Sequence, residues 1–493
     1  MFTKNKTKFA IILVALCLCL TVVLGACNNA KAFTPVKTVA GEVSGNGGIA
    51  VRYGDYIFYV NGYQSDATSA NDYTDSKRVG SIVRISVEDL EAAIEKTTQK
   101  NKTSSVISSE ISKLVAEKAV VVVPNFYYSN NTTETGLNGI YIFGGRLYYT
   151  TPNDDLTADG SKLTSELVLK SINLADPEKT ATRHFVFTDN SAQILLTEQS
   201  NKVVATYIMG SKLYNLDVAD GKSTEIKSHE VDEETKENKD LTVSNVKYDK
   251  NGDGQYTGLF FTDGDGSICH IAAGASDYQV YVTNPKSEDD SKTSSLTIKS
   301  VNDGYVYYTK TPADGSDYNV YLANGVVEQG KDKIFCTGGS SLTLYGYGDK
   351  VIFVPSAVTD AEQSYYNIVV KDKDGNKDND KPLLVPANNV YSITVNRIEG
   401  KYLYYTANSV NYKLDIDAAL VTAQETGTVI GKSLSTTATG WSTPDVLNFT
   451  IGEVVHSYVF TLASGSVSVV KFDAAKQTNS TSATITLAEQ SKD

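Results

Sequence analysis

The sequence predicts an all-β chain folded as a β-propeller with a small helical insertion in its first blade. Three observations predict it. A short strand motif returns along the whole chain, its copies lie roughly fifty residues apart as blade repeats do, and the 31 tyrosines outnumber the 15 phenylalanines.

The motif is a glycine or other turn residue, one or two variable positions, then alternating aliphatic and aromatic residues. It reads Gly54-Asp55-Tyr56-Ile57-Phe58-Tyr59 and Gly145-Arg146-Leu147-Tyr148-Tyr149-Thr150, then Gly304-Tyr305-Val306-Tyr307-Tyr308-Thr309 and Gly400-Lys401-Tyr402-Leu403-Tyr404-Tyr405-Thr406. β-Branched and aromatic residues bounded by turn residues form strands. A polar turn and a second alternating run follow, as in Tyr318-Asn319-Val320-Tyr321-Leu322. One further run opens each unit and another closes it. A four-stranded sheet cannot bury both of its faces alone, so such units stack radially. The phasing gives eight blades, with second strands starting near Tyr56, Leu147, Val203, Leu259, Tyr305, Val351, Tyr402 and Ser457. Seven blades, with the third or last unit misread, is the alternative. In adjacent tyrosine pairs one ring is expected between blades and the other toward a groove or solvent, with blade packing and the hydroxyl at the rim as the plainer reading for most tyrosines.

The N-terminus is set apart. Lys4, Lys6 and Lys8 precede an apolar run over residues 9–24, followed by Gly25-Ala26-Cys27. A basic start, a short apolar stretch and small residues make a secretory signal peptide. Leu24-Gly25-Ala26-Cys27 resembles the bacterial lipobox, which implies a diacylglycerol on Cys27. The expected organisation is a signal peptide over 1–26, a tether over 27–45 and a propeller over 46–490. The helical insertion falls at about 87–118. There, Ser86 and Asp89 form a capping-box pattern, and Val87, Leu90 and Ile94 share one helical face. Ile107, Ile111, Leu114 and Val115 repeat the spacing. This segment is expected to be an ornament with few core contacts, or a docking arm.

Composition narrows the function. The net charge is −13, and loss of three lysines with the signal peptide takes the mature chain to −16. So acidic a domain lacks the basic footprint of nucleic-acid binding. Arginine is limited to Arg52, Arg78, Arg84, Arg146, Arg183 and Arg397, which disfavours clamps on several phosphates. Beyond the signal peptide and Cys27 only Cys269 and Cys336 remain, as two buried thiols or one disulfide.

Catalytic motifs are few. His184, His229, His270 and His456 are scattered without metal-ligand spacing, and each reads as structural. Residues 427–433 are one residue short of a phosphate-binding loop. The best single motif is Asp249-Lys250-Asn251-Gly252-Asp253-Gly254-Gln255. Oxygen side chains at alternate positions followed by glycine begin a Ca²⁺ loop. The expected ligands are Asp249, Asn251 and Asp253, with the Gln255 carbonyl and the Thr257 hydroxyl completing the shell. Position twelve is Phe260 rather than the bidentate Glu of an EF-hand, and such runs also make ordinary turns.

The Tyr-Tyr-Thr strand, polar loop and following Tyr-x-Leu-type strand resemble the uncharacterised propellers of bacterial lipoproteins, in the style of the Tyr-Trp-Thr-Asp and TolB-like repeats. The resemblance spans about residues 45–490. No unit keeps an intact Tyr-Trp-Thr-Asp, and Trp441 lies between units, so no ligand site is carried over. It supports the fold more than any activity; the lipobox, the fold and the lack of catalytic motifs lead to the expectation of an extracytoplasmic module, anchored by lipid to the cell membrane, that binds a ligand or a protein or glycan partner. A membrane-proximal assembly scaffold is the alternative, and an enzyme acting on glycans ranks third.

Overall fold

The computed structural model describes residues 43–61, 81–95, 118–123, 139–153, 165–176, 180–251, 255–284, 295–311, 319–337, 342–354, 358–360, 363–365, 368–375, 381–383, 393–399, 402–407, 410–417, 432–433, 445–451, 454–463, 466–473 and 478–485. Cys27, Asp253 and the predicted helical residues beyond Glu95 lie outside the described residues, apart from Lys118.

The described residues form eight antiparallel sheets of four or more strands, each following chain order from first strand to last. The second strand of each four-stranded motif falls where the repeats place it, for example Arg146–Pro152, Lys202–Met209, Tyr305–Thr311 and Tyr402–Ala407. The first sheet carries an extra two-residue strand, Val43–Ser44. Two further hairpins stand apart from these sheets, Lys227–Val231 with Asn238–Asp240 and Val358–Asp360 with Gln363–Tyr365.

Successive sheets meet through their opening strands. Ser244–Lys250 of the fourth touches Ser295–Asn302 of the fifth, which touches Leu344–Tyr347 of the sixth. Asp445–Ile451 of the eighth sheet lies against Val43–Ser44 and Ala50–Tyr53 of the first, so the ring closes as a β-propeller.

The cores lie between neighbouring sheets, the largest running through the eighth, first and second. Leu296, Ile298, Val306 and Tyr308 of the fifth sheet pack against Phe260 and Ile268 of the fourth. The opposite face of the fifth, with Tyr307 and Phe335, packs against Val351 and Phe353 of the sixth. Adjacent tyrosines therefore point to opposite faces and both are covered, Tyr307 and Tyr308 being fully buried. Tyr148 and Tyr149 divide in the same way between two cores. The expectation that one of each pair faces a groove fails at these pairs, because a middle strand of a stacked sheet has no free face.

The helix Val87–Glu95 starts directly after the strand Ile82–Ser86. The Ser86 hydroxyl accepts a bond from Asp89 N–H at 3.0 Å and donates to the Asp89 carboxylate at 2.7 Å. Val87, Leu90 and Ala93 are buried in the core that runs through the eighth, first and second sheets, and Glu91 accepts a hydrogen bond from Tyr458 of the eighth. The expectation of few core contacts is overturned for this part of the insertion: its apolar face belongs to the core that includes the closing joint of the ring.

Candidate functional site

Polar side chains join one sheet to the next near the opening strands. Asn46 both donates to and accepts from the Ile142 backbone, at 3.0 and 2.7 Å. Tyr141 donates to the Ile194 carbonyl, and Gln199 to that of Ala273. Asn302 donates to the carbonyls of Gly348 and Lys350, and Tyr345 to that of Val395. A closed ring with a bonded side chain at such joints is a rigid support.

Between the fourth and fifth sheets a carboxylate takes this place. Asp249 is only 2% exposed. Its Oδ2 accepts from Gly304 N–H at 2.8 Å and from the Thr257 hydroxyl at 3.2 Å. Gly304 sits in the two-residue turn Asp303-Gly304, which joins Asn302 to Tyr305. Both turn residues have positive φ, 50° and 80°, as a hairpin of this twist requires. The other oxygen, Oδ1, is buried without a hydrogen-bond partner. Burial pushes the Asp249 carboxyl up to about 6, against the bonds from Gly304, Thr257 and the Asp303 backbone, while the Asp303 charge adds to the rise.

The remaining residues of the predicted calcium loop are placed differently. Asn251 and Gln255 are brought together: the Asn251 side-chain oxygen accepts from Gln255 N–H at 2.9 Å, and Asn251 N–H donates to the Gln255 carbonyl at 2.9 Å. The side chain of Asn251 thus closes its own hairpin, while Asp249 is turned to the next sheet. Among the described residues no group of three or more His, Cys, Asp or Glu side chains is arranged to hold a metal ion.

The histidines divide by environment. In the second sheet Arg146 donates twice to Ser171 Oγ, at 3.1 and 2.9 Å, and once to Thr182. Ser171 has one hydrogen, and it goes to His184 Nε2 at 2.7 Å. Burial, then the Arg146 charge, lowers the His184 pKa, so the ring stays a neutral acceptor. Ser171 is fully buried, which makes this serine–histidine contact a tie between strands rather than a nucleophile open to substrate. His229 is exposed, bonded to Asp277 at 2.8 Å and stacked on Tyr278. His270 lies against Phe260 and Tyr281. Its Nε2 is buried without a partner, and burial pulls its pKa down to about 4. Cys269 and Cys336 are not joined in a disulfide.

Sequence reading took His270 as structural and gave no sign that its Nε2 is buried without a hydrogen-bond partner. The one signal was a lone polar residue in the apolar strand Ile268–Ala272, and such a residue reads as structural without its neighbours.

No family model matches the chain, and no curated protein matches it. Among solved structures, it is similar to dipeptidyl peptidase 4 of Porphyromonas gingivalis, at 8% identity and a TM-score of 0.40. That match covers 89% of this chain and 59% of the peptidase, so the chain spans less than two thirds of that protein. Oligogalacturonate lyase of Vibrio parahaemolyticus matches at 10% identity and a TM-score of 0.29, over 64% of this chain and 85% of the lyase. The β-propeller domain of Swd1 from Myceliophteria thermophila matches at 10% identity and a TM-score of 0.29, over 67% and 94%. At these levels of likeness the fold stands on the sheets of this chain itself.

Proposed function

We propose that this chain is an extracytoplasmic propeller of eight blades, held to the bacterial cell membrane by lipid on Cys27, that binds a protein or glycan partner. What supports binding is the rigid ring, whose neighbouring sheets are joined by side-chain bonds at their opening strands. Rigid scaffolds of this kind present function on their loops, and the ligand is set by those loops rather than by the fold. What supports the anchor is the basic, apolar and small-residue sequence ending at Cys27. Two acyl signals or more hold a soluble domain stably at a bilayer.

The test has two arms. Cells producing the full chain are fed labelled palmitate, and the label is expected on the wild type and lost in Cys27→Ala. An equally labelled variant would remove the anchor. The protein is then used to capture partners from membranes and wall glycans, and saturable binding to one class identifies it. Ca²⁺ on Asp249, Asn251, Asp253 and Gln255 is the ion the hairpin sequence proposes. Millimolar Ca²⁺ is expected to raise the melting temperature of the wild type and not of Asp253→Ala, and no rise in the wild type leaves the segment a turn.

A further inference from the structure

Residues 43–48 lie against four sheets of the ring, although they open only one of them. Val43 and Ser44 pair with Tyr53 and Arg52 on the inner side of the first sheet. Gly45 then approaches the eighth sheet, where a Cβ on it would stand 2.7 Å from Leu447 Cδ1. Asn46, Gly47 and Gly48 turn to the second sheet, at its opening strand Tyr141–Phe143 and the preceding Ile140.

The bonds made there account for a whole strand edge. Gly47 N–H donates to the Ile140 carbonyl, and Ile140 N–H donates to the Gly48 carbonyl, both at 2.9 Å. The Asn46 side-chain amide does the same for Ile142, accepting at 2.7 Å and donating at 3.0 Å. An open strand edge is a row of unpaired donors and acceptors that invites another chain. Here three consecutive residues satisfy both groups of Ile140 and both of Ile142, with the Asn46 amide standing in for a peptide unit.

Gly47 also meets the fourth sheet. A Cβ on it would stand 2.7 Å from Cδ2 and 2.9 Å from Cε2 of Tyr256, and 3.1 Å from Cε1 of Tyr141. Its φ is 88°, a conformation open to glycine at no steric cost. The Tyr256 ring is itself held in place. Lys250 Nζ lies 4.3 Å from its centroid, and the Tyr248 ring meets it edge-on at 6.2 Å. The Tyr248 hydroxyl in turn donates to Gln193 of the third sheet at 2.8 Å. The third sheet stands between the second and the fourth, and sheets that are not neighbours in a ring meet across its interior.

We infer that Val43–Gly48 is an inner strap, which caps the free edge of the second sheet and braces it against Tyr256 of the fourth across the central channel. The strap ties sheets that share no backbone ladder. It also fills the interior between them with the protein's own chain, so that part of the channel is not a cleft for a ligand.

Residue-resolved hydrogen exchange of the full chain tests the strap, because exchange reads local opening sheet by sheet. Asn46→Ala removes both side-chain bonds to Ile142. Exchange is expected to quicken about tenfold, the size that two hydrogen bonds allow, at Ile140 and Ile142 and also in the strand Tyr256–Thr262. The sixth and seventh sheets are expected to keep their protection. Quickening confined to the second sheet would reduce the segment to an edge cap, and either no change or a uniform change in all sheets would also overturn the brace. Should Asn46→Ala fail to fold, Tyr256→Leu reads the same contact from its other side. It is expected to quicken exchange of the Gly47 N–H, 209 residues away along the chain, and an unchanged Gly47 overturns the proposal.

Discussion

Asp249 and His270 respond to pH in opposite directions, and in the wild type each masks the other. Burial raises the Asp249 carboxyl from 3.8 to about 6. Its contribution to stability is complete below pH 3.8 and is lost as pH rises through about 6. Burial lowers His270 from 6.5 to about 4, so its contribution is present above pH 6.5 and is lost as pH falls through about 4. The windows overlap between about pH 4 and 6, and a shift of two units corresponds to roughly 3 kcal/mol. Urea unfolding across this range is expected to show stability rising with pH in Asp249→Asn and falling with pH in His270→Phe. Parallel profiles for the two variants would refute the assignment. The motif around Asp249 was legible in the sequence, because alternating oxygen side chains before glycine stand out. The direction of the carboxylate was not, since its partner Gly304 lies 55 residues away. Nor does a sequence reveal that Gly258 admits an imidazole over its backbone.

At the scale of one element, the helix Val87–Glu95 shows what a periodic pattern does and does not encode. Ser86, Asp89 and the face of Val87 and Leu90 predicted its start and its buried side, and both are present. What that side packs on was illegible: Glu91 accepts a hydrogen bond from Tyr458, 367 residues along the chain. The helix is therefore expected to matter as core. Leu90→Ala should cost about 2–5 kcal/mol, as buried leucines do. Ser86→Ala should cost about 1 kcal/mol through loss of the cap. Glu88 is exposed, and Glu88→Gln should change stability by less than about 0.5 kcal/mol. Denaturant unfolding of the three variants checks the order, and a near-neutral Leu90→Ala would return the helix to the role of an ornament.

For the whole molecule the decisive feature is how the ring closes. Among the described residues the first sheet is built from residues 43–123 and the eighth from residues 445–485, with no strand exchanged between them. The backbone ladders that secure each sheet therefore do not secure this joint. Its strength lies in side chains: Leu447, Tyr458 and Phe460 pack with Ala50, Val51, Tyr59 and the helix. The rings of Tyr59 and Phe460 lie 5.8 Å apart, a contact worth about 0.5–1.5 kcal/mol beyond its buried area. In a repeat architecture each unit is stabilised mainly by its neighbours. Opening the ring at one joint sacrifices one interface and leaves the others standing, so it is a sub-global event of lower free energy than unfolding. Phe460→Ala should weaken the joint by about 3–5 kcal/mol. Hydrogen exchange is expected to show the first and eighth sheets losing protection together, while the fourth and fifth keep theirs. Uniform loss across all sheets would mean that the ring unfolds as a single cooperative unit and that its closure is no weaker than any other joint.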